Sequence, residues 1–223
     1  AERTAKNPFF PRTARQLTVA VMTYLHREAK RSKHSADNRE LVSFLNRFGN
    51  KDVHQLLDSD EHGDLRGAIS AINPDASKQS VGVYSTLQSI VQEVLTGDFA
   101  AADGEFSIRE YIENPDNRLL LLDYPIREGD RMGPIYKFFI DRAIQLMIDD
   151  PNRRGYFVLD EFARVPQLEM LDTLVATGRA QQTQAILGVQ SLSQLAQKYG
   201  DATVDSILSG LTQEVHLRSG DQR

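Results

Sequence analysis

The chain contains no cysteine, which excludes disulfide bonds and metal sites built on thiolates. A sequence without cysteine also fits a reducing compartment. No run of 18 or more apolar residues occurs, so the sequence holds no candidate transmembrane helix. The first residue is Ala1 and no signal-peptide pattern follows it, so we expect a segment of a longer protein.

Internal repeats and low-complexity tracts are also missing from the 223 residues, which suffice for one large or two small domains. The net charge of −5 argues against a protein that coats nucleic acid. Residues 1–54 carry 11 basic and 5 acidic side chains, whereas the remainder carries 15 and 26. This imbalance predicts two surfaces with different partners, or merely two solvated faces of unlike composition.

The first hundred residues lack the period-two alternation of a half-buried strand. Apolar residues recur there at helical spacing instead. The first predicted helix covers residues 12–33. The second begins at a cap formed by Asp37 or Asn38 and ends at Gly49. Three more are predicted around residues 53–57, over 65–72 and over 80–95. We therefore predict an all-helical domain over residues 1–104, with the loop TGDFAAADGE as its exit.

Residues 105–223 alternate between strand-like and helix-like segments. The predicted strands are RLLLLDYP, YFVLDEF, TQAILGVQS and TQEVHLRSG, the first two of them buried. Predicted helices end at Ile148 and Gly178, and two more cover LSQLAQKYG and TVDSILSGL. This rhythm is typical of a parallel sheet with crossover helices, so the predicted fold class is α/β behind an all-α domain.

Two adjacent carboxylates, Asp160 and Glu161, follow the apolar strand Tyr156 to Leu159. In a parallel sheet, ligands lie beyond the carboxyl ends of the strands. One acid there can hold the water shell of a magnesium ion, and the next can polarise a water for attack on a γ-phosphate. This is the Walker B pattern, although such a strand end also arises by chance or as a helix N-cap.

Two further side chains extend this pattern. Gln190 ends the next predicted strand at the equivalent edge and could sense the γ-phosphate or the attacking water. Arg179 follows Gly178 at a helix–strand junction and could neutralise transition-state charge in its own subunit or across an interface. The alternatives are a strand-end hydrogen bond for Gln190 and a cation at a helix C-terminus for Arg179.

Residues 158–200, VLDEFARVPQLEMLDTLVATGRAQQTQAILGVQSLSQLAQKYG, resemble the second half of the motor domain of type IV secretion coupling proteins. These are hexameric conjugative DNA-transfer ATPases of the RecA/FtsK-like type. VHLRSGD is similar to the strand that closes the family's nucleotide domain, and NPFFPRTARQL to the start of its inserted all-helical domain. The resemblance implies the second half of a RecA-like P-loop NTPase sheet, preceded by an all-α domain for substrate recognition.

The resemblance also implies residue roles and cofactors. Asp160 would serve magnesium through water, and Glu161 would activate the attacking water. Gln190 would couple nucleotide state to motion, and Arg179 would be the trans-acting arginine finger of a ring. The intact parent would use ATP and Mg²⁺.

The implied partners are single-stranded DNA, relaxase, relaxosome or effector proteins, the type IV secretion channel and further copies in a homohexamer. The parent would lie at the cytoplasmic face of the bacterial inner membrane, reached through segments absent here, whereas this segment would be soluble. The basic run HREAKRSK, residues 26–33, is a candidate contact for DNA phosphates or an acidic partner, or a solvated helix tail.

One element of the family is missing. No GxxxxGK[ST] occurs, so the loop whose amides and lysine would cradle the phosphates is absent from this sequence. We therefore expect the segment alone not to hydrolyse ATP. Two other hypotheses stay open: an FtsK/HerA-like double-stranded DNA translocase, and a non-catalytic receptor whose helices bind a relaxosome or effector protein.

Several other candidates carry no site. The histidines lack metal-ligand spacing; they are His26, His34, His54, His62 and His216. Asp123 is explained equally well as a turn residue, and DSDEHGD lacks the alternation and the terminal Glu of a calcium loop. Ser191 to Ser193 has no paired base in view. Arg218 is a weaker candidate than Arg179 for a cation between subunits.

Overall fold

A computed structural model describes residues 9–73, 77–101, 104, 106–123 and 129–217. The chain divides into two compact units, Ala1–Glu105 and Phe106–Arg223. Within the described ranges, no helix has both the length and the apolar character that crossing a bilayer requires.

The described part of the first unit is helical. Its elements are α1 (Phe9–Arg31), α2 (Asn38–Arg47), α3 (Asn50–Asp58), α4 (Arg66–Ile69), a 3-10 turn (Ser70–Ile72), α5 (Ser77–Val94) and α6 (Asp98–Ala101). α1 packs mainly against α5, and Leu17, Val83 and Leu87 lie in their shared core. α2 begins at the predicted cap, where Asp37 Oδ1 accepts a hydrogen bond from the Glu40 N–H at 2.9 Å.

One arginine ties the acidic loop after α3 to α1. Arg27 Nη1 lies 2.6 Å from Asp60 Oδ2, and the same guanidinium binds both oxygens of Asp64 at 2.8 and 2.7 Å. The Asp60 side chain is fully buried, and Arg27 offsets part of the cost of burying it. Arg31 contacts Glu61 in the same loop at 3.0 Å. Two basic residues of the run 26–33 therefore have partners inside the unit.

The second unit alternates helices and strands. Its elements are α7 (Ile108–Glu113), α8 (Gly129–Ile148), β1 (Gly155–Leu159), α9 (Leu171–Thr177), β2 (Thr183–Leu187), α10 (Leu192–Tyr199) and α11 (Asp201–Gly210). β1 and β2 pair in parallel, with Gly155 opposite Thr183 and Leu159 opposite Leu187. α9 is the crossover between them, as the sequence predicted.

Only one face of this two-stranded sheet is covered within the described part of the chain. Leu159 is buried in a core to which α8, α9, α10 and α11 all contribute. On the other face, Tyr156, Val158 and Ile186 are 55%, 65% and 56% exposed. The prediction that β1 is a buried strand is therefore wrong for this face, because no described element packs against it.

Two other predicted strands do not form in the described ranges. Residues 118–123 and 212–217 carry no strand pairing, and Leu119 and Leu121 are 81% and 80% exposed. A strand needs a neighbouring backbone to satisfy its N–H and C=O groups, and these segments find none in the described residues. The ends of both predictions, residues 124–125 and 218–220 with Arg218, lie outside the described residues.

Two short helices were not predicted. α6 lies inside the segment that the sequence indicated as an exit loop. α7 begins after Ser107, whose hydroxyl oxygen accepts a hydrogen bond from the Glu110 N–H at 3.3 Å. A serine followed three residues later by glutamate is a helix-start signal that the sequence did offer at this position.

Candidate active site

The carboxyl ends of β1 and β2 form the candidate site. Asp160 and Glu161 follow β1, and Gly188 to Gln190 follow β2. Backbone hydrogen bonds continue past both strands, from Gly188 N to Leu159 O at 3.0 Å and from Phe162 N to Gly188 O at 2.8 Å. These bonds hold the two polar strand ends side by side, as the parallel arrangement predicts.

Gln190 and Glu161 are in direct contact. The Gln190 Nε2 donates a hydrogen bond to Glu161 Oε1 at 2.7 Å. A hydrogen bond from an amide to a carboxylate is charge-assisted and roughly twice as strong as one between neutral groups. The structure therefore joins two of the residues that the sequence indicated.

The backbone of Glu161 is in the left-handed region, with φ of +47°. A residue with a Cβ costs about 1–2 kcal/mol in this conformation, and such residues concentrate at functional sites. Hydrogen bonds on both sides hold the turn: the Phe162 N–H binds Gly188 O, and the Arg164 N–H donates to Glu161 O at 2.7 Å. The strained backbone sends the Glu161 side chain toward Gln190.

Gly188 allows the two strand ends to approach. A Cβ at this position would lie 2.9 Å from Asp160 Oδ1 and 3.6 Å from the Glu161 nitrogen. Any larger residue would therefore push against the Asp160 carboxylate. This role was not predicted, although a glycine two residues before the polar Gln190 could have indicated it.

Arg164 is the second residue that the sequence analysis missed. Its Nε lies 3.1 Å from Glu161 Oε2, while Gln190 binds the other carboxylate oxygen. Glu161 thus has a partner on each oxygen. The spacing of three residues was visible in the sequence, but the contact depends on the turn at Glu161, which apolar periodicity does not predict.

The segment after Glu161 is fixed to α10. Phe162 is fully buried and stacks on Tyr199, with ring centroids 5.5 Å apart. The Lys198 ammonium donates to Ala163 O at 2.7 Å and also to Val165 O. Burial lowers the pKa of Lys198 from its ordinary value, because desolvation disfavours the charged form.

The start of α9 is capped by an acid from α8. Asp141 Oδ1 accepts a hydrogen bond from the Met170 N–H at 3.0 Å, and Oδ2 accepts from the Glu169 N–H at 3.2 Å. Lys137 Nζ lies 2.6 Å from the same carboxylate. These donors precede α9 and carry no intrahelical partner, so Asp141 supplies the cap from another helix.

Arg179 lies at the opposite edge of the sheet. It follows the C-cap Gly178, and the Thr183 N–H that opens β2 donates to Gly178 O at 2.8 Å. The five residues of β2 place roughly 13 Å between this edge and the carboxyl ends. Arg179 is exposed, and within one chain it is not brought together with Asp160, Glu161 and Gln190.

The donor set fits a hydrated magnesium ion that a nucleotide helps to hold. Asp160 is exposed, and its Oδ1 accepts only the Glu161 N–H at 3.0 Å among the described groups. No group of three or more candidate metal ligands occurs in the described ranges. Mg²⁺ commonly uses one or two carboxylates and keeps several waters or substrate phosphates, so a single accessible Asp160 suits this role.

Residues 1–223 match the family described as the type IV secretion-system coupling protein DNA-binding domain. The chain belongs to this family, and the resemblance inferred from its sequence is confirmed. No curated protein sequence matches the chain.

Solved structures of a coupling protein show the same fold. The bacterial conjugative coupling protein TrwBdeltaN70, in a trigonal form with sulphate, is 20% identical with a TM-score of 0.69, over 93% of this chain and 48% of that chain. The plasmid coupling protein TrwB in complex with ADP and Mg²⁺ has 20% sequence identity and a TM-score of 0.68, again over 93% of this chain and 48% of that chain. The TrwB complex with the non-hydrolysable ATP analogue ADPNP has 21% sequence identity and a TM-score of 0.66, over 93% of this chain and 48% of that chain. The predicted fold class is confirmed, and the chain spans about half the length of these structures.

Proposed function

We propose that this chain supplies the hydrolytic half of an ATP-driven motor in a type IV secretion coupling protein. The contact that carries this proposal is the 2.7 Å hydrogen bond between Gln190 and Glu161, directly after Asp160 at the carboxyl edge of a parallel sheet. A strand-end acid whose only role is structural does not require a strained backbone, whereas Glu161 has a φ of +47°.

Asp160 and Glu161 have different roles at this edge of the sheet. Asp160 is the ligand to the water shell of Mg²⁺, which when bound with ATP would neutralise charge on the phosphate oxygens. Glu161 accepts a proton from the attacking water and orients it, a function that requires a positioned carboxylate. Both acids follow one strand, so the sheet fixes their separation.

Gln190 and Arg179 connect the site to the rest of a ring. Gln190 holds Glu161 Oε1, so a shift of the segment after β2 changes the position of the base. Arg179 lies at the other edge of the sheet, too far from Glu161 to serve the same site. Its place is therefore at the nucleotide of a neighbouring copy, which supports a homohexamer with a trans-acting arginine finger.

The helical domain, residues 1–104, is proposed to recognise substrate. The family's description as a DNA-binding domain supports single-stranded DNA as one partner, with relaxase, relaxosome or effector proteins as others. Within the run 26–33, Lys30 and Lys33 are exposed, whereas Arg27 and Arg31 are paired with acids of the same unit. The lysines are thus the better candidates for phosphate contacts. The motor would feed the type IV secretion channel at the inner membrane.

ATP hydrolysis by the full-length protein and by this 223-residue segment, each with and without single-stranded DNA, tests the proposal. We expect turnover only in the full-length protein, because the segment lacks GxxxxGK[ST]. DNA should raise that turnover. The proposal fails if the full-length protein, confirmed to bind ATP, shows no turnover under either condition.

The second candidate function is a non-catalytic receptor. The observation that favours it is again the missing phosphate-binding loop in this chain. A receptor would bind a relaxosome or effector protein equally well before and after substitution of Glu161. A motor would lose turnover after that substitution, so one variant separates the two candidates.

A further inference from the structure

A polar cavity lies beside the candidate active site, between the segment after β1 and α10. Its volume is about 470 Å³, and its lining residues are Ala163, Arg164, Gln194, Gln197 and Lys198. Two are cations, two are carboxamides and none is an acid. This volume leaves room for a phosphate group with part of its hydration shell.

We propose that this cavity binds a phosphate group, and that binding draws the Arg164 guanidinium away from Glu161. The inference rests on the proposed function for its consequence, since releasing Glu161 matters only if Glu161 is the base. The phosphate comes from a nucleic-acid backbone or from a nucleotide, and the chemistry of recognition is the same.

The geometry of Arg164 carries the first step. Its Nε lies 3.1 Å from Glu161 Oε2 in an ion pair, and Arg164 is also one of the residues that line the cavity. The side chain is 57% exposed. A guanidinium presents five N–H donors in a fixed plane that matches phosphate oxygens, so most of its donors remain available to an anion in the cavity.

The rest of the lining supports the same ligand. Lys198 uses two donors on the carbonyls of Ala163 and Val165, and an ammonium group has three. Gln194 and Gln197 are exposed on the same helix and each carries an NH₂ donor. A cavity with cations and amides but no carboxylate favours an anion over a cation or an apolar group.

The link to Glu161 follows from the shared arginine. While Arg164 Nε binds Oε2 and Gln190 binds Oε1, both carboxylate oxygens are engaged. A phosphate in the cavity competes for the guanidinium and frees Oε2, the oxygen then able to accept a proton. Arg164 is thus a positioning residue. Phosphate binding in the cavity determines whether Glu161 Oε2 is free to accept a proton.

The test is a nuclear magnetic resonance titration of this 223-residue chain with inorganic phosphate, a short oligothymidylate and ADP. The signal followed is the Arg164 Nε–H, assigned by its loss in Arg164→Lys, together with the backbone N–H of Ala163 and Gln197. We expect a saturable shift of the Nε–H signal, because phosphate binding moves the guanidinium away from the Glu161 carboxylate that lies 3.1 Å from Nε. The titrant that saturates first identifies the source of the phosphate.

Charge variants locate the binding site. Gln197→Glu places an acid in the lining and should weaken phosphate binding about fivefold, the effect of one charge a few ångströms away near a solvent-exposed surface. Gln213→Glu makes the same change on an exposed residue outside the cavity and should leave binding unchanged. Gln194→Glu is the second lining variant, used if Gln197→Glu loses its dispersed spectrum. Arg164→Gln should abolish the backbone shifts, and Arg164→Lys should retain part of them.

The inference is overturned if the Nε–H signal does not shift, or shifts equally in the wild-type and lining variants. Its failure is distinct from failure of the proposed function. If Glu161→Gln leaves the turnover of the full-length protein intact, the motor role is lost while the phosphate titration still stands as a binding result. If the titration fails while Glu161→Gln abolishes turnover, the motor role stands without this cavity.

Discussion

The Gln190 amide binds the Glu161 carboxylate at 2.7 Å across the ends of two parallel strands. Each residue belongs to a segment with its own attachment: Glu161 precedes Phe162, buried against α10, and Gln190 precedes the N-cap Ser191 of α10 itself. A movement of α10 would therefore reach both ends of this hydrogen bond. That coupling is what a motor needs between its chemistry and its conformational change.

Replacing Glu161 by glutamine in the full-length protein should lower ATP turnover by about 10²–10⁴-fold, the usual contribution of a general base. Nucleotide affinity should stay unchanged, because glutamine keeps the size of the side chain and an oxygen that accepts the Gln190 hydrogen bond. Turnover and nucleotide affinity, measured separately, check both statements. Glu93→Gln, an exposed glutamate on α5, is the control and should retain full turnover. Unchanged turnover in Glu161→Gln would remove Glu161 from the mechanism.

Arg179 should act on the nucleotide of a neighbouring copy. Arg179→Ala and Glu161→Gln should each be inactive alone in the full-length protein, with a loss for Arg179 of about 10³-fold or more. In an equal mixture of the two variants, some interfaces pair an intact Glu161 with an intact Arg179. Random mixing makes these about a quarter of all interfaces, so partial turnover should return. A mixture that assembles but stays inactive would place Arg179 in its own subunit's site.

The site was predictable where it depends on strand direction. Polar residues after two parallel strands meet at one edge, and this alone placed Glu161 and Gln190 together. Arg164 was not predictable in the same way. Its contact with Glu161 follows from one left-handed residue, φ +47°, which the apolar pattern does not encode.

The sequence also did not predict which face of the sheet is covered by other elements. The run Tyr156 to Leu159 is apolar throughout and therefore predicts cover on both faces. Whether cover is present depends on which elements pack there, and within the described residues Val158 is 65% exposed. Helices were predicted more reliably, because their caps and apolar spacing are local features; α2, with its cap at Asp37, is an example.

Removing the cap of α9 should destabilise the second unit. Asp141→Ala deletes the acceptor of the Met170 and Glu169 N–H groups, so we expect a loss of about 1–2 kcal/mol in the free energy of unfolding. Urea-induced unfolding followed by circular dichroism measures it.

Glu169→Ala is the matched control for this change, because it removes the other acid near Lys137. Its carboxylate lies 3.3 Å from Lys137 Nζ but is 67% exposed, and exposed ion pairs contribute little. Equal stability of Asp141→Ala and Glu169→Ala would mean that the cap contributes nothing beyond the ion pair.

Tyr199 should make stability fall at alkaline pH. Burial raises its pKa to about 12 from 10.0 in the unfolded chain. A group with a raised folded pKa stabilises fully below the unfolded value, and that contribution is lost as pH rises from 10 toward 12. The loss is about 2–3 kcal/mol, from two pKa units at about 1.4 kcal/mol each. Free energies of unfolding at a series of pH values between 8 and 12 report this slope.

Tyr199→Phe separates this titration from the other effects of the hydroxyl. At pH 8 the variant should be less stable by about 1–2 kcal/mol, because the buried Leu168 N–H loses the oxygen that accepts it at 3.0 Å. Between pH 10 and 12 the wild type alone loses about 2–3 kcal/mol through Tyr199, so the deficit of the variant should vanish and the variant should become the more stable protein near pH 12. Tyr156→Phe, on a residue 55% exposed, should follow the wild-type curve throughout. A Tyr199→Phe curve parallel to the wild type above pH 10 would mean that Tyr199 ionises as readily in the folded chain as in the unfolded one.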